Sequence, residues 1–144
     1  MPIGCDTSFL FSIYANDAHT AKALAAVKHI GRAIHISILN QYELENALRL
    51  AVFRKLLPAA SIINILADFE ADIATGRLIL AACNLASVVA EARRLSTRYT
   101  LRQGYRAFDI LHIGAALHLN ADLFFSFDEH QRKLATAAGL VVKP

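Results

Sequence analysis

The chain of 144 residues has no tryptophan, two cysteines, three prolines and six glycines. Cys5 and Cys83 lie in separate apolar runs without metal-ligand spacing. That excludes a disulfide framework and predicts buried thiols of a reducing compartment. So little proline and glycine excludes collagen-like repeats and low-complexity tails. Charged residues are also scarce, at 19%. Even so, the longest uncharged stretch, residues 78–90, falls well short of the ~20 residues that a membrane-spanning helix needs. The N-terminus has no basic segment ahead of its apolar start, and Asp6 interrupts that start, so it does not read as a signal peptide. The length suits one domain over residues 1–144, and a soluble, cytoplasmic protein is expected.

What is abundant is apolar. Hydrophobic residues make up 56% of the chain, against ~45–50% in typical globular proteins. Short apolar segments alternate with helical patterns. Residues 3–6 read as a strand entering a helix at Asp6-Thr7-Ser8. Asp17 caps a helix with Ala23, Ala26, Val27 and Ile30 at helical spacing, which stops at Gly31. A strand at 33–36 leads to Ser37, the cap of a helix reaching about residue 55, with Leu44, Ala47, Leu48, Ala51 and Val52 as its apolar stripe. Pro58 suits the first position of a further helix, and Gly76 ends it. A third strand at 77–81 precedes Asn84, which caps a helix to about 103. A helix at 107–119, a strand at 122–127, a helix from Asp128 to Gly139 and a possible strand at 140–142 complete the chain. Strands this apolar, alternating with helices, belong to a parallel sheet covered on both faces. The predicted fold is α/β: a three-layer α/β/α sandwich around a central, mainly parallel sheet of four to five strands.

In such a fold the helix N-termini and strand C-termini share one edge, where ligands bind. Sorting the twelve acidic residues by that rule brings four to this edge. Asp6 ends the first strand, Glu43 lies in the second turn after Ser37, Asp109 lies in the first turn of helix 107–119, and Asp128 follows the fourth strand. Asp122 falls at the opposite edge, as do Asp68, Glu70 and Asp72. Glu45 points to solvent. Asp17 and Glu129 read as a cap and a solvated helix start. Helix 107–119, AFDILHIGAALHL, is apolar all round, so Asp109 is buried. A helix N-terminus helps a carboxylate by ~0.3–1 kcal/mol, which is less than its desolvation cost, so a cation or donor must complete the site. Singly, each acid has a structural reading as a turn, cap or solvated residue. Four carboxylates at one edge, however, repel unless a cation neutralises them, and oxygen-only ligands favour Mg²⁺ or Mn²⁺. No pair of histidines stands at zinc-site spacing.

These residues resemble the PIN-domain ribonucleases, and among them the toxin subunits of virulence-associated (VapC-type) toxin–antitoxin systems. The matching pieces are Ile3-Gly4-Cys5-Asp6-Thr7-Ser8, Ser37 through Tyr42-Glu43-Leu44, Phe108-Asp109-Ile110-Leu111-His112, and Phe124-Phe125-Ser126-Phe127-Asp128. The stretch through Leu134-Ala135 and Ala138-Gly139-Leu140 matches too. Each motif is short, but their order and spacing together are specific and span almost the whole chain. Ser126 stands where many relatives have threonine. The resemblance implies a PIN-like fold, Mg²⁺- or Mn²⁺-dependent RNA cleavage, a homodimer and a cognate antitoxin as type II partner. It makes Asp6 and Asp109 direct metal ligands. Glu43 and Asp128 then act through water or position the attacking water. Ser8 either orients a carboxylate or caps the first helix. Ser126 keeps the hydroxyl of its position. His112, three residues past Asp109, either steadies a carboxylate or contacts substrate, or is a satisfied core histidine.

With those four acids set aside, fifteen basic residues face eight acidic ones. Five arginines and no acid lie between Ala92 and Phe108, with Tyr99 and Tyr105 among them. Such a segment suits single-stranded or looped RNA, or else forms a solvated helix face. Arg102 and Arg106, nearest Asp109, are the candidate RNA contacts. Other α/β classes fit less well. A receiver domain needs an aspartate after the third strand, where Ala81-Ala82-Cys83-Asn84 stands. A haloacid-type phosphatase needs one at Ser8, and a dinucleotide fold needs clustered glycines. The alternative is a catalytically inactive PIN-like module that binds RNA or a partner, against which the intact acid quartet argues.

Overall fold

The structure, a computed structural model, describes all 144 residues. Its elements are β1 (Ile3–Cys5), α1 (Thr7–Tyr14), α2 (Thr20–Ile30), β2 (Ile34–Ile36), α3 (Ile38–Phe53), α4 (Ser61–Ala74) and β3 (Leu78–Leu80). They are followed by α5 (Leu85–Leu95), a π-helical stretch (Ser96–Thr100), α6 (Leu101–Gln103), α7 (Ala107–His118), β4 (Leu123–Phe125), α8 (Glu129–Ala137) and β5 (Val141–Lys143). All strand pairings are parallel, and the fold is α/β.

The strands form two ladders rather than one: β1-β4-β5 and β2-β3. β1 and β2 lie side by side without ladder hydrogen bonds. Three-residue strands offer few bonding positions, and the Cys5 carbonyl at the end of β1 accepts instead from the Asn40 side chain at 3.3 Å. Successive residues of β4 serve opposite cores, as the pleat requires. Leu123 and Phe125 join Ile3, Phe9, Leu10, Ile36, Leu44 and Phe69 on one face. Phe124 joins Leu95, Ile113 and Leu134 on the other.

Local chemistry sets most boundaries. Asp6, Ser37, Asn84 and Asp128 each cap a helix by accepting from a backbone N–H. Gly104, at φ +69, turns the chain out of α6 toward α7 in a conformation most side chains avoid. Three details depart from the sequence reading. Pro58 lies three residues ahead of α4, where its carbonyl accepts from Ser61 N–H. α2 starts at Thr20, and Asp17 braces the preceding turn. Helix 84–103 is interrupted by the π stretch, where the Thr97 hydroxyl bonds the Arg93 carbonyl. Cys5 is buried as expected, but Cys83 is only half-buried, and both are free thiols. No helix is long and apolar enough to cross a membrane.

Candidate active site

The parallel strands bring Asp6, Ser37 and Ser126 to one edge, directly after β1, β2 and β4. Asp6 is 1% exposed. Its Oδ1 accepts from Phe9 N–H at 2.8 Å and from the Ser8 hydroxyl at 2.9 Å, and its Oδ2 accepts from the Ser126 hydroxyl. Burial, the largest influence, pushes the Asp6 carboxyl up; Ser126, Phe9 N–H, Ser8 and His112 pull it back, and the net shift is upward. The first helix is therefore capped by Asp6, and Ser8 orients the Asp6 carboxyl.

Hydrogen bonds run from Asp6 through the rest of this edge. Ser126 Oγ accepts from Asp128 N–H at 3.0 Å. Asp128 Oδ1 accepts from Gln131 N–H at 2.9 Å. The Gln131 amide donates to Asp109 Oδ1 at 3.2 Å, and Arg106 Nε donates to Asp109 Oδ2 at 3.0 Å. Asp109 is buried, as its apolar helix requires, and Arg106 and Gln131 are the cation and donor that meet its charge.

Glu43 is held separately. His112 Nε2 lies 3.0 Å from Glu43 Oε1 and 3.2 Å from Thr7 Oγ1. Asn40 Oδ1 accepts from Ser37 N–H at 3.0 Å, so its NH₂ group faces His112 Nδ1 at 3.3 Å. This geometry assigns Nδ1 as the acceptor and Nε2 as the protonated nitrogen. His112 is thus a fully satisfied buried histidine that also steadies Glu43. Burial acts to raise the Glu43 carboxyl, but His112, the Thr7 hydroxyl and Arg106 outweigh it, and the net shift is downward.

A cavity of about 580 Å³ opens beside these groups. Glu43, Asp109, Arg106, Thr7 and Ser8 line it, together with Asp17, His19, Arg54 and Phe127. A smaller one of about 240 Å³ is lined by Asp109, Asp128, Arg106 and His130. Arg106 and Asp109 border both. Arg102 is exposed on α6 and lines neither. Asp122 and Asp72 lie away from this edge, paired with Arg32 and Arg77.

The acids and hydroxyls of this edge offer oxygen donors, the kind a hard divalent cation takes. Gln131, itself buried, bonds Asp109 through Nε2 but leaves Oε1 without a partner, so polar capacity remains beside the carboxylates. The residues fit such an ion in kind. As arranged, no three acidic, histidine or cysteine side chains stand close enough together to hold one.

Sequence reasoning passed over Asn40, Gln131, Thr7 and Arg54. Asn40 and Gln131 had a signal: each is three residues past a cap, Ser37 or Asp128, the capping-box spacing. Arg54, the C-cap residue of α3, is eleven residues past Glu43, close to three full turns, which puts it on the Glu43 side of that helix.

An acid cluster at the carboxyl edge of a parallel sheet, between capped helices, defines a class of α/β proteins. This chain belongs to the PIN-domain family, whose model matches residues 3–137. Among solved structures it is similar to one described as the crystal structure of FitAcB from Neisseria gonorrhoeae. The TM-score is 0.63 at 16% identity, and the match covers 100% of this chain and 97% of that one. At that identity the likeness concerns the fold. No curated protein matches the chain significantly.

Proposed function

We propose that the chain, one PIN domain over residues 1–144, is a metal-dependent endoribonuclease acting as the cytoplasmic toxin of a type II toxin–antitoxin pair. One observation carries this reading. Carboxylates from distant segments lie along the sheet's carboxyl edge, with Asp6, Asp128 and Asp109 linked through Ser126 and Gln131 and Glu43 held on His112. Membership of the PIN family, a family of nucleases, supports it.

In this reading Asp6 and Asp109 would hold Mg²⁺, or Mn²⁺, and Asp128 and Glu43 would act through water. A bound divalent ion supplies a water of lowered pKa and charge stabilisation at the phosphate. Ser126 and Ser8 fix the Asp6 carboxyl, and Gln131 fixes Asp109. His112 sets the direction of Glu43, which orients the attacking water. Arg106 meets the scissile phosphate, with Arg54 further along the cavity and Arg102 on the approach. Partner surfaces are also available. Phe53, Leu56 and Ile63 are strongly exposed around α3 and α4, an apolar excess suited to a cognate antitoxin and a second copy of the chain.

The test is cleavage of a structured RNA by purified protein free of antitoxin. Mg²⁺ or Mn²⁺ should support cutting, and EDTA and Asp6→Asn should each abolish it while circular dichroism shows an intact fold. Undiminished cutting by Asp6→Asn would overturn the assignment.

A further inference from the structure

The cavity that Glu43 and Asp109 line also carries an aromatic arrangement that the acid chemistry does not use. The His19 ring lies flat on Phe127, with centroids 4.4 Å apart and planes 10° apart. Phe127 in turn stacks on Phe9 of the core, at 5.6 Å and 26°. His19 is thus the outermost ring of a stack that begins inside the protein. One of its faces is covered by Phe127, the residue as a whole is exposed, and it lines the cavity. Phe127 is the only ring stacked on it.

The ring is also held in place. Asp17 Oδ2 accepts from the Ser12 hydroxyl at 2.9 Å, and Asp17 Oδ1 accepts from His19 N–H at 2.8 Å. The Thr20 hydroxyl bonds the Ser12 carbonyl. The turn carrying His19 is therefore clamped to α1, although the ring makes no hydrogen bond that would explain its position. Ser8 and Ser12 place this platform relative to the acids. Ser8 binds Asp6, Ser12 binds Asp17, and the two lie about one turn, ~6 Å, apart along α1. Arg54, which has no ion-pair partner, lines the same cavity.

From this geometry we infer that His19, backed by Phe127, is a stacking subsite for one unpaired nucleobase next to the bond that is cut. A flat, preorganised aromatic face beside an unpaired cationic side chain suits single-stranded RNA bound without reading its sequence. A duplex keeps its bases stacked on each other and offers no free face, so the subsite selects single-stranded or looped substrate. The inference rests on the ribonuclease reading and adds the residues that take an unpaired base.

The test uses the full chain in EDTA, so that nothing is cut. The probe is a short single-stranded RNA carrying one 2-aminopurine, with a duplex of the same sequence for comparison. Wild-type protein should bind the single strand more tightly than the duplex and quench the 2-aminopurine by stacking. His19→Ala should weaken single-strand binding roughly fivefold or more and lose the quench, and His19→Phe should retain both. An alanine variant that binds and quenches like wild type overturns the inference, as does a wild type that binds no single strand. Failure of the ribonuclease reading shows separately, as no metal-supported cutting by a protein that still stacks the base.

Discussion

Replacing Arg106 by glutamine should improve divalent-ion binding while weakening RNA binding. Arg106 takes the N-cap place of α7 without a capping bond, and its guanidinium turns back onto Asp109. Its cationic form is favoured first by the Asp109 hydrogen bond and charge, and then by the charges of Asp128 and Glu43. It therefore stands among the carboxylates a metal would use. The side chain is 79% exposed, so the pair is worth only ~0.2–1 kcal/mol. Freeing Asp109 from it should lower the Mn²⁺ dissociation constant by up to roughly fivefold, read by titration calorimetry without RNA. If Arg106 meets a phosphate as proposed, the same change should lower RNA affinity and flatten the salt dependence of binding by about one unit of slope. Arg106→Lys keeps the charge but loses the fork and should fall between. Unchanged or weaker Mn²⁺ binding by Arg106→Gln refutes this account of Arg106 as the ion's internal competitor.

Asn40→Ala leaves the Cys5 carbonyl and His112 Nδ1 without their buried donor. Urea unfolding should show a loss of about 1–3 kcal/mol, and cleavage should drop as Glu43 loses its support. Gly4→Ala puts a Cβ 2.9 Å from that of Ala116 and 3.3 Å from the Phe124 ring. This overpacking should cost ~1–3 kcal/mol, and adding Ala116→Gly should recover part of it in thermal melts. Tyr14 donates to Asp72 at 2.6 Å, and burial first, then Asp72, holds its phenol well above the usual tyrosine range. Its contribution to stability is complete below the unfolded pKa of ~10 and is lost as pH rises beyond it. Tyr14→Phe should therefore show a shallower alkaline fall in urea midpoint than wild type.

The acids were legible because their positions follow from topology. Asp6 directly follows β1, Asp128 opens α8, and Asp109 sits in an apolar helix where an unpaired carboxylate cannot stay. The partners were harder to read because each has a sufficient local explanation. Asn40 and Gln131 satisfy capping-box spacing, which accounts for them before any long-range contact is considered. The division of the sheet was not legible at all. Strands of only three, mostly apolar residues are too short to carry a register pattern, and the Cys5 carbonyl at the end of β1 is met by a side chain, that of Asn40. The His19–Phe127 stack joins residues far apart in sequence, one in a loop and one past a strand. No periodicity links such positions; only the folded chain does.

The way charge is held at this edge explains why caps and site acids coincide. Asp6 and Asp128 are at once helix caps and cluster members, so the backbone N–H that satisfies the helix also fixes the carboxylate's rotamer. Four helix N-termini, those of α1, α3, α7 and α8, arrive with the four acids. Each contributes roughly half a positive charge, about two in all against four negative charges. Arg106 supplies one more, which leaves about one negative charge unmet; a divalent ion taking its place would leave none. The same count explains how Arg106 can sit at a helix N-terminus, where a cation is otherwise unfavourable. The local cost is outweighed by the surrounding carboxylates for as long as no stronger cation is present, and side-chain exposure leaves the guanidinium free to move to a phosphate when one is.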